Sequence, residues 1–293
     1  MAFAGDGIAA LCLRPPRRDQ AAVLGPVTWL NTGAADGGEA LEQWIHDERL
    51  GGMRAVGVLA PGDYQTVQVE APQVPANEMR QAAAWRVREL IDFPIDQAVI
   101  DTWDPPESTR RGQPQINVVV ARRSMVAERI EMLRDAGLEL TAIDIPELVQ
   151  RNICAHLPTS QNGHALLSLE HGSGLLTFFR DGEQYLARGL DVGHGDLAGG
   201  DEKAAEALVL EVQRSLDYYG SAMSQPPPGG LYLYPGGELA ETLVDALRDN
   251  LDNLDCQPVT LADLVTVEDE PTHAGATTLH ALGAGLRDQT VLN

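Results

Sequence analysis

The chain has 293 residues, 44% of them hydrophobic, and 43 acidic side chains set against 21 basic ones leave a net charge of −22. That length has room for two lobes with a core each, and the acid excess argues against nucleic acid or anionic lipid headgroups as partners. No apolar run approaches the roughly 20 residues of a membrane span, and no basic-then-apolar leader is present, so the cytoplasm is the expected compartment.

Lys203 is the single lysine, and the other permanent cations are arginines. A salt-rich cytoplasm or a biased genome accounts for the surplus carboxylates more simply than a basic partner does. Cys12, Cys154 and Cys256 are far apart and never in C-x-x-C spacing, and His164 and His171 flank a strand with no acid or thiol at ligand spacing. Neither a disulfide framework nor a zinc site is expected. The chain contains no G-x-S-x-G elbow and no G-x-x-x-x-G-K-[ST] loop, so no catalytic residue is assigned and no metal ligand is named.

In chain order, residues 7–13, 27–31, 55–59 and 66–70 are short apolar or alternating runs bounded by Gly, Pro and Asp, which predicts strands. Leu41, Trp44 and Ile45 put a helix between them, over 38–49. A segment of different character follows. Pro72 and Pro75 introduce a helix over 77–91 that Phe93-Pro94 ends, strands are predicted at 98–103 and 116–121, and Ser124 caps a helix carrying Val126, Ile130 and Leu133. This small α+β insertion holds Arg80, Arg86, Arg88, Arg110, Arg111, Arg122, Arg123, Arg129 and Arg134. On so acidic a chain they are candidates for an electrostatic dock, although solvated helix faces with local ion pairs have the same composition.

Beyond the insertion, strands at 165–169, 175–180 and 184–190 are joined by His171-Gly172-Ser173-Gly174 and Asp181-Gly182. A long helix follows over 201–223. Ala205, Leu208, Val212, Leu216 and Tyr219 form its apolar face, and Glu211, Arg214 and Tyr218 share the neighbouring stripe. A strand at 231–234, a helix at 238–250 and further structure from Val259 complete the chain. Strand, hairpin and strand followed by alternating helix and strand describe an α/β unit, and the outline occurs twice.

Specific letters go further. Glu211-Val-Gln-Arg214-Ser-Leu-Asp-Tyr-Tyr219 resembles the E-I-x-R-S-L-x-F-Y helix of the PilM family, actin-fold proteins on the cytoplasmic side of type IV pilus assembly platforms. Met79–Trp85 and Leu90–Asp96 with Asp101 resemble that family's segment ending Y-I-P-F-P-x-D-E-x-x-x-D. Ala136-Gly-Leu138 with Ile143-Asp-Ile145 is similar to its A-G-L…x-I-D-x stretch, and Gly283-Ala-Gly-Leu-Arg287 to its G-L-A-L-R. Within the family the likeness is greatest to MshI-type members, which serve the mannose-sensitive haemagglutinin (MSHA) pilus. The resemblance implies an α/β, actin-like ATPase fold of duplicated ribonuclease-H-like lobes with a small α+β insertion in the first lobe. Residues 1–70 and 141–160 would form the first lobe, 71–140 the insertion and 161–293 the second lobe.

The resemblance also implies ATP with magnesium between the lobes, held by two glycine hairpins. The family's first hairpin, D-I-G-S-S-S-x-K, corresponds to Gly5-Asp6-Gly7, with the aspartate at Ala2 and the lysine at Ala9; its D-I-G corresponds to Ser168-Leu169-Glu170. Those phosphate motifs are degenerate, so loss of hydrolysis is expected. The remaining nucleotide-site candidates are Gly172 and Gly174, Gly236 and Gly237 after a strand, and Glu211 with Arg214. A plain strand-to-helix turn and an i,i+3 ion pair would use the same residues.

As partner, the resemblance implies the cytoplasmic tail of a PilN-like inner-membrane protein. Its groove would be built from parts of 77–121 and 140–153, with Arg80, Arg86, Arg122 and Arg123 as candidate contacts. The expected function is therefore a scaffold of an MSHA-like platform, cytoplasmic and peripheral to the inner membrane through that partner. An active ATP-hydrolysing actin-like protein and the cytoplasmic domain of a type II secretion platform protein are the alternatives, and a homo-oligomer stays open.

Overall fold

Short apolar strands and amphipathic helices alternate along this chain because each buries one face against the other, and among the described residues the result is three sheets. The computed structural model describes residues 1–14, 21–31, 37–106, 114–158, 161–198, 202–236, 238–251, 254–268 and 275–287. The first repeat opens with β1 (Ala2–Phe3), β2 (Gly7–Arg14), β3 (Val23–Asn31), α1 (Gly37–Asp47) and β4 (Arg54–Val58). It continues through β5 (Tyr64–Glu70), α2 (Met79–Val87), β6 (Ala98–Trp103), β7 (Gln115–Arg122), α3 (Arg123–Asp135), β8 (Glu139–Asp144) and α4 (Pro146–Cys154). The second repeat opens with β9 (His164–Leu169), β10 (Gly174–Arg180), β11 (Glu183–Leu190), α5 (His194–Ala198) and α6 (Glu202–Asp217). It closes with β12 (Leu231–Tyr234), α7 (Glu238–Asn250), β13 (Cys256–Pro258), β14 (Thr266–Val267) and α8 (Ala276–Gly285).

The duplication expected from the sequence is present strand for strand. The orders β3-β2-β1-β4-β8 and β11-β10-β9-β12-β13 match, antiparallel across the two hairpins and parallel thereafter. In the β10–β11 turn, Asp181 and Gly182 have φ of 54° and 78°, the paired left-handed conformation that suits the twist of a tight hairpin. The helix with the periodic apolar face does what its spacing predicts. Leu208, Val212 and Tyr219 of this segment are buried with Leu243 and Leu247 of α7 against Leu167, Phe178 and Leu231 of the second sheet. Tyr219 lies in a π-helical turn, Tyr218–Ala222, that continues α6, and its ring stacks on Phe178 at 4.8 Å.

Three segments sit elsewhere than expected. Strand β5, assigned above to the first lobe, pairs antiparallel with β7 from Tyr64↔Ala121 to Glu70↔Gln115 and so belongs to the small sheet β5-β7-β6. Its alternation T-V-Q-V-E predicts a strand but does not choose its neighbour. Helix α3, assigned above to the insertion, buries Leu133 with Phe3, Ile8 and Leu41 and so forms part of the first lobe. The insertion core proper is Ala83 and Val87 of α2 against Ala98, Ile116, Val118 and Val120.

The third difference concerns the end of the second repeat. β14 pairs with β3 of the first sheet, and α8 packs on β1, β2 and β4 while α4 packs on β9, β10 and β11. The closing helix of each repeat thus covers the sheet of the other. Every residue from Ala276 to Ala284 is buried, which suits a helix of mostly small and apolar residues whose buried polar members, such as Thr277 and His280, find polar neighbours. No helix among the described residues is long and apolar enough to cross a membrane.

Candidate functional site

Two places in the structure bear on function, and only the first gathers residues singled out in the sequence. The first is the cleft between the lobes. Its first hairpin closes with the Ala4 N–H donating to the Gly7 carbonyl at 2.8 Å, and Asp6 is exposed in that turn. Ala2 pairs with Ala9 across the hairpin. Both are buried in a layer with Val58, Val149, Ala281 and Ala284. The positions that correspond to the expected carboxylate and lysine are therefore a dry alanine contact under α8. A side chain on Gly7 would strike the Trp29 ring, since its Cβ would lie 2.4 Å from that ring.

The second hairpin is pinned rather than open. The carbonyls of Glu170 and His171 accept from the amides of His194 and Gly195 at 2.7 and 2.8 Å. A Cβ on Gly193 would lie 2.4 Å from those same carbonyl oxygens, so the approach depends on glycine there. Gly172 faces open space, while Gly174 packs on Leu169 and the Val192 carbonyl. The Glu170 carboxylate reaches α8, where it accepts from both the backbone N–H and the hydroxyl of Thr277.

Strand β12 runs parallel to β9 with Tyr234 opposite Ser168, so Gly236 lies at the same end of the second sheet as Gly172 and Gly174. Gly237 lies outside the described residues. On α6, Arg214 donates to Glu211 at 2.5 Å, an i,i+3 ion pair with both side chains at least a third exposed. Among the described residues no cluster of three or more His, Cys, Asp or Glu is placed to hold a metal ion. Alanines at the metal and lysine positions and a carboxylate in the second hairpin do not fit a magnesium triphosphate.

The second place is a cavity of about 220 Å³ between the small sheet and the second lobe. Thr66 and Gln68 of β5, Trp103, Asn117, Glu147, Gln184–Ala187 of β11 and Tyr218 form most of its wall. Two backbone irregularities shape it. Tyr185 is the extra residue of a β-bulge between Phe178↔Leu186 and Phe179↔Gln184, and Tyr218 opens the π-helical turn. Such features recur where a fold re-aims side chains around a site. The indole N–H of Trp103 and the amide N–H of Gln184 are buried here with no acceptor among the described residues. A buried donor without an acceptor costs about 1–3 kcal/mol, so such donors mark places where something else supplies the oxygen.

The acidic member of the wall is tied in. The Tyr64 hydroxyl donates to Glu147 at 2.6 Å, joining the small sheet to α4. Burial pushes the Glu147 carboxyl above its ordinary value despite that bond, and burial together with Glu147 holds the Tyr64 phenol well above its own. The wall carries one acidic side chain and is otherwise rich in amides and aromatic rings.

None of the four candidate arginines lines this cavity. Arg80 pairs with Asp101 at 2.9 Å, and Arg122 pairs with Asp92 at 3.2 Å while lying 4.2 Å over the Phe93 ring. Arg123 donates to the Ala98 carbonyl at 2.8 Å. Arg86 is exposed on α2, next to Trp85, whose side chain is unusually open for a tryptophan at 69%. Sequence reasoning missed Tyr64, Trp103 and Gln184, because no spacing connects residues that meet only when three separate strands converge.

No family model matches the chain, and no curated protein matches its sequence. Solved structures do match its shape. The chain superposes on a PilM–PilN type IV pilus biogenesis complex with a TM-score of 0.71 at 22% identity, over 98% of this chain and 96% of that one. It superposes on the cytoplasmic domain of EpsL, an inner-membrane component of the type II secretion system of Vibrio cholerae, with a TM-score of 0.55 at 12% identity, covering 100% and 96%. A Bacteroides thetaiotaomicron protein of actin-like ATPase fold and unknown function gives 0.54 at 11% identity, covering 96% and 93%. At these identities the likeness establishes the fold: the chain has the actin-like ATPase fold with an inserted α+β unit.

Proposed function

We propose that this protein is a cytoplasmic scaffold of a type IV pilus assembly platform, of the MSHA kind, that captures the tail of a PilN-like inner-membrane protein without bond-making chemistry. The observation that carries the reading is the cavity between the small sheet and β11, where Trp103 and Gln184 present buried donors that lack acceptors. An extended tail supplies backbone carbonyls at the spacing of a strand, and β11 stands at the edge of its sheet. The MSHA assignment rests on the sequence resemblance, and the PilM–PilN likeness supports the partner class.

Binding of the partner's cytoplasmic tail to the purified chain, followed by fluorescence anisotropy, tests this. Trp103→Phe keeps an aromatic side chain but removes the indole donor, and is expected to weaken binding at least about fivefold, the worth of one net hydrogen bond. Arg86 lies on α2, which packs on the face of the small sheet away from the cavity, so Arg86→Glu is expected to leave this binding unchanged. Tight binding that ignores Trp103→Phe moves the seat elsewhere, and no binding of the tail ends the proposal. A type II secretion platform role is the second reading, supported by the EpsL likeness. It predicts preference for a tail from that system over the pilus tail in the same assay.

A further inference from the structure

The inter-lobe cleft holds a feature that peptide capture does not use. Helix α8 begins at Ala276 behind an N-cap residue, Gly275, that has no side chain with which to cap it. A helix start exposes unpaired amides and the positive end of the dipole, which together attract an anion. Here the anion comes from the chain itself. Glu170, in the β9–β10 hairpin and 107 residues distant, places its carboxylate on the Thr277 N–H and the Thr277 hydroxyl. Thr277 and Thr278 are buried, so no second anion can approach those groups from solvent while Glu170 is in place.

The same contact ties the lobes together. Glu170 belongs to the second sheet, and its hairpin is pinned to the Val192–Gly195 segment by the His194 and Gly195 amides. Helix α8 covers the first sheet through β1, β2 and β4. The first hairpin contributes no charge to the interior, because Ala2 and Ala9 are buried against Ala281 and Ala284 of that helix.

We infer that Glu170 is a built-in substitute for a ligand anion: it occupies the start of α8, holds the two lobes closed without a nucleoside triphosphate, and excludes triphosphate–magnesium from the cleft. The inference stands apart from peptide capture and survives or fails independently of it.

Thermal unfolding of the full chain tests it, with wild type compared with Glu170→Ala and Glu170→Gln. ATP–magnesium is expected to leave the wild-type midpoint unmoved. Glu170→Ala is expected to lower the midpoint by about 3 °C, the usual scale for a lost helix cap in a chain of this size, and Glu170→Gln by less because the amide oxygen still accepts. Millimolar inorganic phosphate should restore Glu170→Ala and leave wild type and Glu170→Gln unchanged. A wild-type midpoint raised by ATP–magnesium overturns the inference, as does a Glu170→Ala variant as stable as wild type or indifferent to phosphate. Should Glu170→Ala fail to fold, Glu170→Gln carries the test: a midpoint below that of wild type supports the inference, and a midpoint equal to that of wild type overturns it.

Discussion

Gly283 of α8 lies against the Val149 carbonyl of α4, so close that a Cβ on the glycine would sit 2.5 Å from that oxygen and 3.0 Å from Ile153. The contact is reinforced by Asn152, whose amide donates to the Gly283 carbonyl at 2.9 Å. These two helices close the two repeats and exchange sheets, so their separation sets how the lobes meet. Gly283→Ala must push them apart, because the obstacle is backbone and cannot turn away. It is expected to cost about 1–3 kcal/mol in urea unfolding despite alanine's better helix propensity. Gly285→Ala is the control: the nearest atoms its Cβ would meet belong to the Leu13 side chain, at 3.2 Å, rather than to backbone, and a near-neutral change is expected.

At the same crossing a buried polar node joins both helices to the second sheet. Gln150 donates to Ser168 at 2.5 Å and accepts from Thr177 at 2.5 Å, and its amide nitrogen lies 3.3 Å from Nε2 of His280. Burial pushes the His280 imidazole down to about 3, so it is neutral in the fold. An unfolded imidazole takes its proton near 6.5, the ordinary value. Between those values the unfolded chain binds the extra proton, and stability falls as the pH falls. From about pH 7 to about pH 5 the loss attributable to His280 is about 2 kcal/mol. Asp144 and Glu147, raised by burial, act in the opposite sense, since their folded forms take up protons first. The measurement is therefore the difference between wild type and His280→Gln across that range, and a difference that does not change with pH would contradict the assignment.

How far this architecture could be read from letters differs from element to element. The periodic face Leu208, Val212 and Tyr219 announced the helix and its buried side, because burial of that stripe is what makes the helix stable. Strand β5 announced itself and nothing more, since one register of alternation suits an edge of either sheet. The Glu211–Arg214 stripe suggested a ligand, yet its side chains satisfy one another across one helical turn. The cavity left no trace in the sequence. Trp103 and Gln184 become informative only when folding buries their N–H groups and brings no acceptor, and that is a fact about three-dimensional surroundings.

The bond from Tyr64 to Glu147 couples the small sheet to α4 and gives the next test. Tyr64→Phe leaves the carboxylate buried without its donor, and a loss of about 1–2 kcal/mol in urea unfolding at neutral pH is expected. The sign with pH follows from burial. A carboxyl whose folded value is raised penalises the fold when ionised, and the penalty disappears once it is protonated. The deficit of Tyr64→Phe should therefore shrink as the pH falls toward 4.5, the carboxyl's ordinary value. A deficit independent of pH would place the cost in packing instead.

The acid excess makes one more measurable demand. With 43 acidic side chains against 21 basic ones, compaction forces like charges together, and that repulsion is long-ranged and screened by salt. Opposing it are exposed pairs such as Arg80–Asp101 and Arg122–Asp92, which salt also weakens. Such pairs contribute about 0–1 kcal/mol each, and side chains this open hold the lower part of that range. Repulsion among a net charge of −22 involves many more pairs of charges, so screening it should outweigh the loss. The midpoint of thermal unfolding is therefore expected to rise steadily as KCl is raised from tens of millimolar to molar, beyond the point where exposed pairs are fully screened. A flat or falling midpoint would mean that the carboxylates are already neutralised by local partners, and the surface would then have to be read as a mosaic of ion pairs.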